Sequence, residues 1–317
     1  MSHAPQLVTL RDSAAGSSAQ ILVSQGFNCF SFIAHFAGED IEVLWADADF
    51  ELGRGRPSGS GIPLLYPFPG RIDRGQLEWE GKHYELDAND GKGNAIHGFT
   101  YTRPWRVTRQ SGSEVTGEFQ ASVDDRLLLE YWPADFKIAA TYSLHGNRLS
   151  AKYVLSNPDA KPLPMGFGIH PYFRLPIGGE DAAECRIKLP VSGEWELEDL
   201  ITTGTYFSLR NPELFQQGMN FGQMQFDNVF GGLVFEPDGW CRSSIEDPSS
   251  QRRLTIGWDQ PFRECVVYTP PHREAICIEP YTCTPDAIRL TKSGIDAGLR
   301  LLQPGESLTT RLEMAVS

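Results

Sequence analysis

The chain has 317 residues, 40% of them hydrophobic, with 18 Phe, 10 Tyr and 7 Trp. That apolar supply can build a large core and excludes intrinsic disorder, while the length admits one large domain or two ordinary ones. A net charge of −13 argues against nucleic acid or an anionic membrane as a partner, because affinity for phosphate comes mainly from Lys and Arg.

The start, Met1 to Val8, has no basic stretch leading into an apolar run, so no signal peptide is expected. No stretch approaches the ~18 consecutive apolar residues of a membrane span. The expected location is cytoplasmic. Six cysteines (Cys29, Cys185, Cys241, Cys265, Cys277, Cys283) are scattered without a C-x-x-C pair. They are expected to be buried reduced thiols rather than zinc ligands.

In chain order, the first distinctive stretch is the Gly-rich segment from Gly53 to Gly61, which reads as a loop within a domain. Leu77 and Trp79, then Gly81-Lys82, then Tyr84 and Leu86 read as two strands and a turn. The same pattern recurs with Val107, the turn Ser111-Gly112-Ser113, and Val115 and Phe119. The clearest hairpin follows. Phe136, Ile138, Ala140, Tyr142 and Leu144 share one face, Gly146-Asn147 makes a type II′ turn, and Leu149, Ala151, Tyr153 and Leu155 return. Asn211-Pro212 opens a helix of about two turns through Gln217, with Asn as cap and Pro at its first position. Leu254-Thr255-Ile256 and Cys265-Val266-Val267-Tyr268 are short β-rich runs. Near the end Leu308, Thr310, Leu312, Met314 and Val316 share a face. Period-two strands with turn signals every ~8–12 residues predict an all-β sandwich or barrel. No linker, repeat or βαβ alternation divides the chain, so a single domain over residues 1–317 is expected.

Several chemistries lack their local signature. The 53–61 loop has no Gly-Lys-Ser/Thr ending and no third Rossmann glycine, and neither a His-Glu-x-x-His helix nor a Gly-x-Ser-x-Gly elbow occurs. No cofactor and no metal are expected.

Three segments each place one ionisable residue among Gly, Pro and aromatics: Asn94 to Phe99 around His97, Gly166 to Phe173 around His170, and Ile278 to Asp286 around Glu279. Taken singly, His97 is equally a satisfied turn histidine, and His170 before Pro171 is equally a strand end. Glu279 is harder to explain as structure. It follows the apolar run Ala275-Ile276-Cys277-Ile278, which Pro280 is expected to end, and a carboxylate there is seldom buried without a partner. A carboxylate base with histidine acids is what proton-transfer catalysis requires.

These segments resemble the aldose 1-epimerase (galactose mutarotase) family. The resemblance covers nearly the whole chain in order. It runs from Tyr66-Pro67-Phe68-Pro69-Gly70-Arg71-Ile72, through the hairpin Gly75 to Leu86, the His97-Gly98-Phe99 and His170-Pro171-Tyr172-Phe173 segments and Phe226 to Phe230, to Glu279-Pro280-Tyr281-Thr282 with Pro285-Asp286. It implies a large antiparallel β-sandwich with few short helices and a sugar site in a cleft on one sheet. It implies Glu279 as general base and His170 as general acid, with His97, Arg71 and Asp227 as ligands of the sugar. Two positions depart from the family. Gly70 stands where Asn usually precedes the arginine, and Tyr281 replaces a commoner Met or Trp.

The implied reaction interconverts the α and β anomers of a free hexose such as glucose or galactose, a monosaccharide substrate. Glu279 starts as carboxylate and His170 as imidazolium. The aromatics Phe68, Phe99 and Tyr172 are candidates to face the sugar ring. Two alternatives stand beside this reading. One is a hexose-6-phosphate 1-epimerase, for which Arg71 and Arg74 are the nearest phosphate ligands. The other is a non-catalytic sugar-binding protein on the same fold.

Overall fold

A computed structural model describes residues 6–317. Most of the start read as lacking a leader, Met1 to Pro5, lies outside the described residues. Among the described residues, no helix is long and apolar enough to cross a membrane.

The fold is mostly β, and its strands pair antiparallel. Two large sheets dominate. In the nine-stranded sheet, Lys137–His145 and Arg148–Ser156 pair in full register from Lys137 opposite Ser156 to His145 opposite Arg148, which leaves Gly146-Asn147 as the two-residue turn. Gly146 has φ +59° and Asn147 does not go positive, as a type II′ turn requires. Ser307–Val316 sits at the middle of this sheet, between Arg148–Ser156 and Arg252–Asp259. The other expected hairpins form as Gln76–Trp79 with Lys82–Glu85 and Arg106–Gln110 with Glu114–Gln120. The predicted helix forms as Pro212–Gln217, although the Asn211 side chain makes no capping bond.

The eight-stranded sheet runs Ile201–Ser208, Gly193–Glu198, Asp227–Gly231, Glu264–Tyr268, Ala275–Tyr281, Gly168–Ile169 and Leu64–Leu65, with Tyr172–Arg174 also on Ala275–Tyr281. A four-stranded meander from Leu7 to Glu42 packs beside them. Alternation drives the packing. Ile138, Ala140, Tyr142 and Leu144 are buried and share one apolar cluster with Ile169, Ile276 and Ile278 from the other sheet and with Phe167 beside it. Each Ile, Leu or Phe among them stabilises the fold by roughly 1.5–3 kcal/mol when fully buried. All six cysteines are buried and free of disulfides.

The Ala275–Tyr281 strand is buried along its whole length. Ile276 and Ile278 face the core, and Glu279 and Tyr281 face the opposite side. Pro280 does not end this strand as the sequence suggests; it lies inside it, opposite Cys265. The reason lies on the strand's other flank. Gly168 pairs with Tyr281 and Tyr172 with Cys277, but the ladder is broken between them. Continuing that register sets Pro280 and Pro171 inside the break, where a missing N–H costs no ladder bond.

Candidate active site

The same register sets His170 across from Glu279. The two side chains meet at 3.4 Å, Nε2 to Oε1, on the floor of a cleft in the eight-stranded sheet. Arg71, His97 and Asp227 also line this cleft, so all five sequence-picked residues come together from segments spread between residues 71 and 279. The cleft opens to solvent at its mouth and is lined by both polar and apolar side chains.

Each side chain is held by its neighbours. Tyr281 donates its hydroxyl hydrogen to Glu279 Oε2 at 2.8 Å. The Tyr172 ring stacks flat on His170, with centroids 4.9 Å apart and planes within 1°, and the Tyr172 hydroxyl donates to the Ser58 carbonyl at 3.1 Å. His97 stands edge-on to His170 at 5.4 Å. The His97 backbone has φ +70°, and its N–H donates to the Gly70 carbonyl. Gly98 must be glycine, since a Cβ there would lie 2.3 Å from the Tyr66 carbonyl oxygen. Arg71 donates from Nε to Asp90 Oδ2 at 3.1 Å. Burial would raise the Asp90 carboxyl, but hydrogen bonds from Asn94, Lys92 and Arg71 bring it down to about 2. Arg71 is thereby fixed as a cation's fork at the cleft wall. Asp227 is exposed at the start of its strand, opposite Tyr268.

Burial governs the ionisation of the central pair. It pushes Glu279 well above the usual carboxylate range, against the lowering effect of the Tyr281 hydroxyl. It pulls His170 down to about 3, helped by the Arg56 charge. Both directions work against the carboxylate and imidazolium starting states expected from sequence. A neutral acid beside a neutral imidazole carries the same number of protons without two buried charges.

Two expected sugar-facing aromatics are elsewhere. Phe68 and Phe99 pack with Trp132 in the core, and only Tyr172 of the three lines the cleft. Arg74 lies outside the cleft, largely exposed and paired with Asp73. The sequence reading missed Arg56, Ser58 and Tyr268, which line the cleft. Arg56 sits on the Gly-rich loop and donates from Nε to Ser58 Oγ at 3.1 Å. Among the described residues it has no carboxylate partner, so its guanidinium is an unpaired cation at the mouth. The loop's composition signalled flexibility, and only its contact with Tyr172 reveals its place over the site.

The architecture is that of the galactose mutarotase-like β-sandwich. The chain belongs to the aldose 1-epimerase family, whose sequence model matches residues 7–315. Among curated relatives, it is similar to the uncharacterized protein YphB of Escherichia coli, at 25% identity over 88% of this chain and 93% of that one. A second relative, the uncharacterized protein YihR of Escherichia coli, is 26% identical over 77% of this chain and 75% of its own length. A galactose mutarotase-like protein of Clostridium acetobutylicum shares the fold at a TM-score of 0.84 and 21% identity, covering 99% of both chains. The galactose 1-epimerase of Lactobacillus acidophilus shares it at 0.72 and 16%, again over 99% of both.

Proposed function

We propose that this protein is an aldose 1-epimerase acting on free hexoses such as glucose or galactose, with Glu279 and His170 as its acid–base pair. The observation that carries this reading is their 3.4 Å separation on the cleft floor. The two oxygens that exchange protons during ring opening, the C1 hydroxyl and the ring oxygen, are bonded to the same carbon. An acid and a base serving them must stand side by side, as these do.

Glu279 takes the proton of the C1 hydroxyl while His170 protonates the ring oxygen. The C1–ring-oxygen bond breaks, C1 turns about the C1–C2 bond, and the ring closes on its other face with the roles reversed. Burial favours a neutral Glu279 beside a neutral His170, and sugar hydroxyls that solvate the carboxylate favour moving that proton to His170. Arg71 donates to sugar oxygens, Asp227 accepts from hydroxyls, and His97 borders the ring. No electron leaves the sugar, so this chemistry calls for no redox cofactor.

The test is polarimetry on freshly dissolved α-glucose and α-galactose. Glu279→Gln is expected to lose about 10²–10⁴-fold in rate while keeping its β circular-dichroism spectrum. Rates near wild type in that variant would sink the assignment. Sugar binding by calorimetry with no acceleration in the unmodified protein would return the chain to a non-catalytic sugar binder.

The unpaired Arg56 supports a second reading, in which the hexose carries a 6-phosphate. Arg74 lies outside the cleft and Arg71 already pairs through Nε with Asp90, so the unpaired Arg56 is the better-placed phosphate ligand. Rates on glucose against glucose 6-phosphate decide between the readings.

A further inference from the structure

Beneath the His170–Glu279 pair lies a third donor. Cys277 precedes Glu279 by two residues on the same strand, so it points to the same side, and it is fully buried. One donor atom each from His170, Cys277 and Glu279 lie within 4.8 Å of one another. The His170 ring is 7% exposed, and its Nδ1 has no hydrogen-bond partner. Its Nε2 meets only the carboxylate at 3.4 Å. It is a buried imidazole without a short hydrogen bond, facing a carboxylate and a thiol.

We infer that His170, Cys277 and Glu279 form an inhibitory site for a thiophilic divalent cation, of which Zn²⁺ and Cd²⁺ are the test cases. Three observations select that class. The donors are nitrogen, sulfur and oxygen, a set that suits zinc-like ions and not Mg²⁺ or Ca²⁺, which prefer all-oxygen shells. The charges balance: a thiolate and a carboxylate carry two negative charges against the cation's two positive ones, with the imidazole neutral, so the buried cluster has no net charge. The count is three, and the cleft lies on the open side, where water or a sugar hydroxyl completes a tetrahedron.

The distances need only a modest closure. Bonds of about 2.0–2.3 Å set donor separations of about 3.3–3.6 Å in a tetrahedron, so the widest pair here draws in by at most about 1.5 Å. Coordination forms the metal–sulfur bond as the S–H bond breaks; that proton and the one that burial favours on the Glu279 carboxyl both leave to solvent, with no change in oxidation state. The occupied site ties up both members of the proton-transfer pair. No local zinc motif marks this site in the sequence, because its donors come from two strands joined only by the fold.

The cation-binding part stands apart from the enzymatic reading, and the inhibition part rests on it. The full-length protein is titrated with Cd²⁺, and the ultraviolet thiolate-to-cadmium charge-transfer band is followed. A band saturating at one ion per chain is expected, lost in Cys277→Ser and strongly weakened in Glu279→Gln. If mutarotation is confirmed, Zn²⁺ inhibits it reversibly to chelator, and Cys277→Ser keeps the basal rate while its half-inhibiting Zn²⁺ concentration rises at least about tenfold. An absent band, a band unchanged in both variants, or equal Zn²⁺ sensitivity with and without Cys277 overturns the site. A band without any mutarotase activity leaves the site standing and removes the enzymatic reading.

Discussion

The Tyr281 hydroxyl and the Glu279 carboxylate lie two residues apart on one strand, joined by a 2.8 Å hydrogen bond that tyrosine donates. This is one of the two positions that the sequence reading set apart from the family's usual pattern. A tyrosine here gives the buried carboxylate a partner, which holds it lower than burial alone would.

Tyr281→Phe removes that bond. Glu279 then rises further, and less of it is ionised at neutral pH. Mutarotation is expected to show kcat about tenfold lower with KM little changed, and the activity–pH profile shifts toward alkaline pH. A fall in KM-related binding with kcat intact would show that Tyr281 only shapes the cleft.

Gly70, the other departure, has φ +65°, and a Cβ built there would lie 2.5 Å from Pro285 Cγ. Gly70→Ala therefore meets both a left-handed backbone and a ring. It is expected to cost about 1–3 kcal/mol in denaturant unfolding. Adding Pro285→Ala removes the clash and restores part of that loss, leaving the backbone share. No recovery in the double variant would mean the ring is not the obstacle.

Arg56→Gln separates the two substrate readings. If a 6-phosphate is recognised, kcat/KM on glucose 6-phosphate is expected to fall about tenfold or more, with glucose affected far less. Equal loss on both sugars would place Arg56 in general support of the cleft.

Glu264 provides a pH-dependent stability test away from the cleft. It is 3% exposed, and burial raises it to about 7 despite a hydrogen bond from Trp195 and the nearby Arg263. Between its unfolded value of about 4.5 and about 7, the native state holds a proton that the unfolded state releases. Its contribution thus declines as pH rises through that window and is constant above it, a change of up to about 3 kcal/mol. Glu264→Gln should flatten the stability difference between about pH 5 and about pH 8 measured by denaturant midpoints. An unchanged slope would assign that dependence to other groups.

Local pattern made the strands legible. The Gly146-Asn147 hairpin needs only period two and a turn residue that accepts positive φ, so its register was readable to the residue. The five cleft residues were legible through the family resemblance, since nothing local links Arg71 to Glu279. What stayed hidden depends on folding at a distance. Arg56 reaches the cleft because Tyr172 binds the Ser58 carbonyl, and Phe99 turns inward because Trp132 and Phe136 fill the space beside it. Pro280 misled because a proline reads as a stop unless the neighbouring strand is known to be broken.

That broken ladder has a consequence for how such a site can change over time. Ile276 and Ile278 lock the strand to the core, and Glu279 and Tyr281, on its other side, line the cleft. Sliding the strand by one residue would bury Glu279 in hydrocarbon and bring Ile278 to the cleft. The chemistry is thus set by the same alignment that closes the interior. New specificities have to arise at the rim, on loops such as 53–61, where side chains can be exchanged without disturbing that alignment.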